Sequence, residues 1–228
     1  MDTGPMRQTF VYIVCSPRPL IGKTLVARQL SEFLLLKNGE VTAFDINLKE
    51  PSLLDYLPAI TETADIDDTF GKMALMDRLI VNDGIAKVID LGFHAFDEFF
   101  KMSEQIGFLK EAARRGVKPI VMFVADVDRT SMRAQAMLQQ QIPATAMITI
   151  DNEYVLRGEL PEHFAAHGRI LRIAALQAFL KNYVDRLTFS FTAYLRSEKD
   201  SSSELHEWIR ENYISFRDLE LELTAEKP

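Results

Sequence analysis

The run Phe10-Val11-Tyr12-Ile13-Val14-Cys15 is almost unbroken in apolar side chains, and it leads straight into Ser16-Pro17-Arg18-Pro19-Leu20-Ile21-Gly22-Lys23-Thr24. A strand with one solvated face would alternate apolar and polar residues. A run without that alternation fits a strand buried on both faces, as in a parallel sheet covered by helices. Beyond Gly22 the period changes: Leu25, Val26, Leu30, Phe33 and Leu34 recur at helical spacing, and Asn38-Gly39 supplies a stop. A buried strand, a tight connection and an amphipathic helix form the opening unit of an α/β fold.

The alternation continues. Strands are predicted at Val41–Asp45, Ala86–Asp90, Pro119–Val124, Ala146–Ile150 and Arg169–Ile173, the first two ending on an acid. Helices are predicted over 68–82, 95–114 and 130–141, and 46–66 reads as a loop with short helical turns, one of them at 52–57. The last third reads as helices over 176–196 and 203–212 joined by the polar Ser197–Ser203 segment, with a frayed tail after Leu221. The expected architecture is one α/β domain over residues 1–228, without internal repeats. Its core, about residues 8–174, is a mainly parallel twisted sheet flanked by helices, and a helical C-terminal extension covers about 175–220. In such sheets ligands bind beyond the carboxyl ends of the strands. Lys23, Asp45 and Asp90 all fall at or just past those ends.

With 228 residues, 47% of them hydrophobic and 26% charged, the chain can build one full core. Its 26 basic and 33 acidic residues leave a net charge of −7, which argues against strong non-specific nucleic-acid binding. The single cysteine, Cys15, excludes an intramolecular disulfide and reads as a small buried residue. The N-terminus lacks the form of a secretion signal and no apolar run is long enough to span a bilayer, so a cytoplasmic protein without membrane contact is expected.

Gly22-Lys23-Thr24 is the second half of the phosphate-binding pattern G-x-x-x-x-G-K-[ST], with Pro17 at the place of the first glycine. Such a loop aims backbone N–H groups at phosphates from a helix N-terminus. Lys23 would add a point charge on phosphate oxygens, and the Thr24 hydroxyl would ligate Mg²⁺. Pro17 and Pro19 have no N–H to offer, and Leu20 must cover a turn where a β-carbon is unwelcome.

Taken together, Arg18-Pro19-Leu20-Ile21-Gly22-Lys23-Thr24, the acid ending the second strand and the acid ending the third resemble the ParA/MinD group of P-loop ATPases, whose loop reads K-G-G-x-G-K-T. The resemblance covers roughly residues 8–150. It implies ATP or ADP with Mg²⁺ as cofactors, held by Arg18, Pro19, Leu20, Ile21, Gly22, Lys23, Thr24 and Leu25, with Thr24 and Asp90 serving the metal. The group's signature lysine, which crosses a nucleotide-sandwich dimer, falls on Arg18, a residue that keeps the charge and adds bidentate geometry. The group's D-x-D falls on Asp45-Ile46-Asn47, so Asp45 and Asn47 would arrange the attacking water. Asparagine is the poorer proton acceptor, so slow or absent hydrolysis is expected. Residues after the fifth strand often contact the base in this group, which points to Asn152.

Three readings of function stay open. One is a homodimeric switch in plasmid or chromosome partition, DNA transfer or cellular positioning. Another is a degenerate, non-hydrolysing scaffold or adaptor for a protein partner. The third, a small-molecule kinase or synthetase, has no recognisable acceptor motif. Other clusters read as structural. Asp126-Val127-Asp128 caps the next helix. Lys110, Arg114 and Arg115 complement a helix end. Arg169, Arg172, Lys181 and Arg186 form a weak candidate for DNA contact, diluted by Asp185. His163 and His167 sit at helical spacing on a solvated face without an H-E-x-x-H pattern.

Overall fold

The computed structural model describes residues 8–47, 52–158, 160–165, 168–197 and 202–225. β1 (Thr9–Cys15) lies at the centre of the sheet, and all seven of its residues are buried. The sheet order is β3-β2-β4-β1-β5-β6-β7, and every pairing is parallel. The other strands are β2 (Thr42–Ile46), β3 (Thr61–Thr63), β4 (Lys87–Leu91), β5 (Val117–Val124), β6 (Met147–Asn152) and β7 (Arg169–Ile173). Parallel pairing with every crossover on a face forces apolar residues onto both sides of the central strands. On β1, Tyr12 and Val14 point into one core cluster, and Val11, Ile13 and Cys15 into the other.

One face is covered by α1 (Lys23–Asn38), the short α2 (Leu53–Tyr56), and three C-terminal helices, α9 (Ala178–Val184), α10 (Phe191–Leu195) and α11 (Glu204–Ala225). The other face carries α3 (Thr69–Leu79), α4 (Phe96–Gln105), α5 (Phe108–Arg114), α6 (Arg129–Gln141) and α8 (Glu162–Ala165), while α7 (Glu153–Leu156) follows β6 directly. α1 leaves the end of β1 toward one face and α4 leaves the end of β4 toward the other. The crevice between those neighbouring strand ends is therefore the switch point at which α/β sheets take ligands.

The predicted α/β class and the parallel sheet stand, with corrections of detail. β3 lies inside the stretch read as loop; it has three residues and no apolar run to announce it. The helix predicted over 95–114 breaks into α4 and α5 at Gly107, whose φ is +67°. That predicted over 176–196 breaks into α9 and α10. The helix predicted to end at 212 continues to Ala225, because Leu219 and Leu223 are buried on the sheet-side cluster rather than frayed. Among the described residues no helix is long and apolar enough to cross a membrane.

Candidate functional site

At the carboxyl edge of β1 and β4, a cavity of about 410 Å³ opens over the first turn of α1. Ile21, Gly22, Lys23, Thr24 and Leu25 form its floor, Asn47, Ser52, Asp90 and Gly92 one side, and Asn152 and Tyr154 the other. Gly22 is the residue before α1, with φ +89°, and no side chain caps the helix. The first-turn N–H groups of a sixteen-residue helix are thus left to whatever enters the cavity. A β-carbon at Gly22 would stand 2.6 Å from Asn152 Nδ2, so glycine is required by space as well as by φ. Asn152 holds the loop in place: its Nδ2 donates to the Ile21 carbonyl at 3.0 Å, while its Oδ1 accepts from Tyr154 N.

The Thr24 hydroxyl donates to Asp90 Oδ2 at 2.6 Å and lies 3.1 Å from Ser52 Oγ. Asp90 is buried. Desolvation pushes its pKa up to about 7; the Thr24 hydrogen bond and the Lys23 charge pull it down, and Asp45 pushes it up. Lys23 is also buried, and burial lowers its pKa, with Asp90 partly offsetting the effect. Its Nζ donates to the carbonyl of Arg18 at 2.6 Å, so the lysine folds back onto its own loop.

Several candidates have partners that differ from the expected roles. Arg18 Nε lies 3.4 Å from Asp126 Oδ2 in the same chain. Both oxygens of Asp45 are taken by backbone N–H groups, Oδ1 by Asn47 and Oδ2 by Ser52, Leu53 and Leu54, so this acid caps α2 instead of facing the cavity. Asn47 lines the cavity. Leu20 takes a left-handed φ of 58°, is 97% exposed, and contributes to the cavity lining. Pro19, beside it, is also exposed.

The rest of the wall was not legible. Tyr56 of α2, Lys181 and Asp185 of the α9 region, and Trp208 of α11 complete the cavity. Trp208 Nε1 donates to the Ala174 carbonyl at 2.8 Å, and Tyr56 Oη to the Asp185 carbonyl at 3.0 Å. Arg28, one helical turn past Thr24, borders the cavity and is bound to the Val184 and Phe189 carbonyls. Only Tyr154 had a nearby signal, two residues after Asn152; the others are brought in by tertiary packing alone.

The remaining clusters behave as structural elements. Asp128 Oδ1 accepts from Thr130 N as the cap of α6. Arg114 and Arg115 both bind Glu111. Arg169 pairs with Glu222, Arg172 with Glu153, and Lys181 with Asp185, while Arg186 lies over the Tyr183 ring. Cys15 is fully buried and its thiol pKa is pushed up by desolvation. His167 and the His163 side chain lie outside the described residues. No protein-family model matches the chain, and no curated protein sequence matches it either.

Proposed function

We propose that this chain is a nucleotide-binding P-loop protein of the ParA/MinD-like kind, a cytoplasmic dimerisation switch acting in partition, DNA transfer or cellular positioning. The observation that carries the reading is the hydrogen bond from Thr24 to the buried Asp90 over an uncapped helix N-terminus. That pairing sets a hydroxyl and a carboxylate, both hard oxygen donors suited to Mg²⁺, beside N–H groups suited to phosphate. Asp90 is buried at this end of the cavity and desolvation raises its pKa, so a divalent cation beside it would hold the carboxylate ionised. Thr24 and Asp90 would hold the metal, which supplies charge neutralisation of the phosphates. Lys23 would exchange the Arg18 carbonyl for a phosphate oxygen, and Gly22–Leu25 N–H groups would complete the cradle. Asn47, which lines the cavity, would orient a water. Tyr154 and the apolar wall of Val155, Ile173, Leu176 and Trp208 leave room for a base.

Arg18 would reach the phosphates of a second copy only after leaving Asp126. The exposed Leu20 and Val127 beside that pair give the same edge an apolar surface for such a contact.

Titration calorimetry with ATP and ADP, with Mg²⁺, tests the reading. Micromolar binding, about −8 kcal/mol, is expected for the native chain and is expected to be lost in Lys23→Ala. Absence of binding by the native chain overturns it. The second reading, a non-hydrolysing adaptor, is favoured by the self-satisfied loop: Lys23 on Arg18, Arg18 on Asp126, and two prolines without N–H groups. Binding without turnover selects it.

A further inference from the structure

The serine in front of α2 lacks the role its position offers. Ser52 stands at the N-terminal cap of α2, where a serine hydroxyl normally accepts from the N–H groups of the first turn, yet its side chain makes no such bond. Asp45 has taken those donors: its Oδ2 accepts from Ser52 N, Leu53 N and Leu54 N. The Ser52 hydroxyl lies instead 3.1 Å from Thr24 Oγ1, and Ser52 lines the cavity. α2 is tied at its other end too, where Tyr56 Oη donates to the Asp185 carbonyl and the Tyr56 ring lies 4.2 Å from the Arg28 guanidinium. The hydroxyl is therefore carried by a short helix fixed at both ends.

Proton bookkeeping decides what this hydroxyl can bind. Thr24 has one hydroxyl proton, and it goes to Asp90 Oδ2 at 2.6 Å. The bond between Thr24 and Ser52 therefore takes its proton from Ser52. That leaves Ser52 Oγ with lone pairs alone, and among the described residues no N–H or O–H donates to them. Lone pairs suit a cation and repel a phosphate oxygen. In a Mg²⁺ shell with bonds of about 2.1 Å, neighbouring ligand oxygens stand about 3.0 Å apart. Thr24 Oγ1 and Ser52 Oγ, at 3.1 Å, already have that spacing.

We infer that Ser52 is a metal ligand: its Oγ and that of Thr24 take adjacent positions on a divalent cation, with Asp90 supplying the negative charge. The inference deepens the nucleotide reading, from which it takes the presence of Mg²⁺, and adds a ligand from the connection between β2 and β3 to those of the phosphate loop. Metal entry replaces the Ser52–Thr24 hydrogen bond and leaves the Asp45 cap of α2 untouched, because the Ser52, Leu53 and Leu54 donors of that cap are backbone groups. The bound cation then ties the first turn of α1 to the start of α2.

Electron paramagnetic resonance of free Mn²⁺, titrated into the full chain with and without ADP, tests the inference, because Mn²⁺ takes the same hard oxygen ligands as Mg²⁺. Ser52→Ala is expected to raise the Mn²⁺ dissociation constant at least about tenfold, a difference of about 1.4 kcal/mol. Ser52→Cys is expected to exchange the preference for a soft one, binding Cd²⁺ with a thiolate-to-metal absorption band that the native chain lacks. The native Cys15 is fully buried and supplies no such band. A serine that merely braces the loop would not produce it. Circular dichroism confirms that each variant is folded. An unchanged Mn²⁺ affinity in Ser52→Ala overturns the inference, and so does a Ser52→Cys chain without the Cd²⁺ band. A native chain that binds ADP but no Mn²⁺ overturns it while leaving the nucleotide reading intact. Mn²⁺ binding that depends on Ser52 but is indifferent to ADP supports it and counts against the nucleotide reading instead.

Discussion

Lys23 and Arg28 are both buried cations on α1, yet their surroundings differ in kind. Arg28 donates to the Val184 carbonyl at 2.7 Å and to the Phe189 carbonyl, and its guanidinium lies 4.2 Å from the Tyr56 ring centre and 4.5 Å from that of Phe191. Glu32, one turn on, lies 3.6 Å from Arg28 Nε and accepts from Ser190 Oγ and Thr192 N. Every partner in that group belongs to a helix or to the short link between α9 and α10. Lys23 has one acceptor, the Arg18 carbonyl, on a loop that also holds Leu20 in a left-handed conformation. A buried charge held by several partners on packed elements is fixed in place, even though Arg28 Nε and Glu32 Oε1 make no hydrogen bond of their own. A buried charge with one hydrogen-bond acceptor on a loop, and beyond it only the Phe93 ring 5.9 Å away, can change partners.

Four substitutions sharpen or break that contrast. The largest effect is expected from Arg28→Met. It leaves Glu32 buried without its cation and the Val184 and Phe189 carbonyls without their donor, at a cost of about 3–5 kcal/mol in urea unfolding. Lys23→Met is expected to cost clearly less in the same experiment. Equal losses would show that the two sites are alike after all.

Next comes Asp90. Its folded pKa is raised, so between the unfolded carboxylate value and about pH 7 the native state holds a proton that the unfolded state has released. Stability gained this way is fully present at low pH and is lost as pH rises through about 7. The native chain is therefore expected to lose on the order of 3 kcal/mol more than Asp90→Asn between pH 4.5 and 8. Parallel pH profiles of the two proteins would remove Asp90 as a source of strain.

The smallest effect is expected from Leu20→Gly. The leucine buries nothing, and its left-handed backbone costs about 1–2 kcal/mol, roughly offset by the greater freedom glycine gives the unfolded chain. A stability change within about 1 kcal/mol, measured by thermal unfolding, is expected. A loss well beyond that would mean that the loop depends on the side chain.

The same contrast marks what could be read from the sequence. Lys23, Thr24 and Asp90 were legible because each stands at a strand–helix boundary marked by a change of hydrophobic period. The parallel topology follows from the same pattern. Asp45 was legible as a strand-end acid but not as a cap, since its four N–H donors come from a connection without periodicity. Arg28 gave no signal: an arginine on an amphipathic helix normally reads as a solvated residue, and its burial depends on residues 184–192, far away in sequence. Trp208, Lys181 and Tyr56 reached the cavity wall in the same way. The breaks at Gly107 and between α9 and α10 were hidden because apolar residues continue at near-helical spacing through both.

Trp208 is the chain's single tryptophan, and it stands in the wall of the cavity with its indole N–H fixed to the Ala174 carbonyl. Light absorbed selectively by indole is therefore re-emitted from one known place. The protein carries its own optical reporter, without any label, for whatever enters beside α1 and for any movement of α11 away from the sheet.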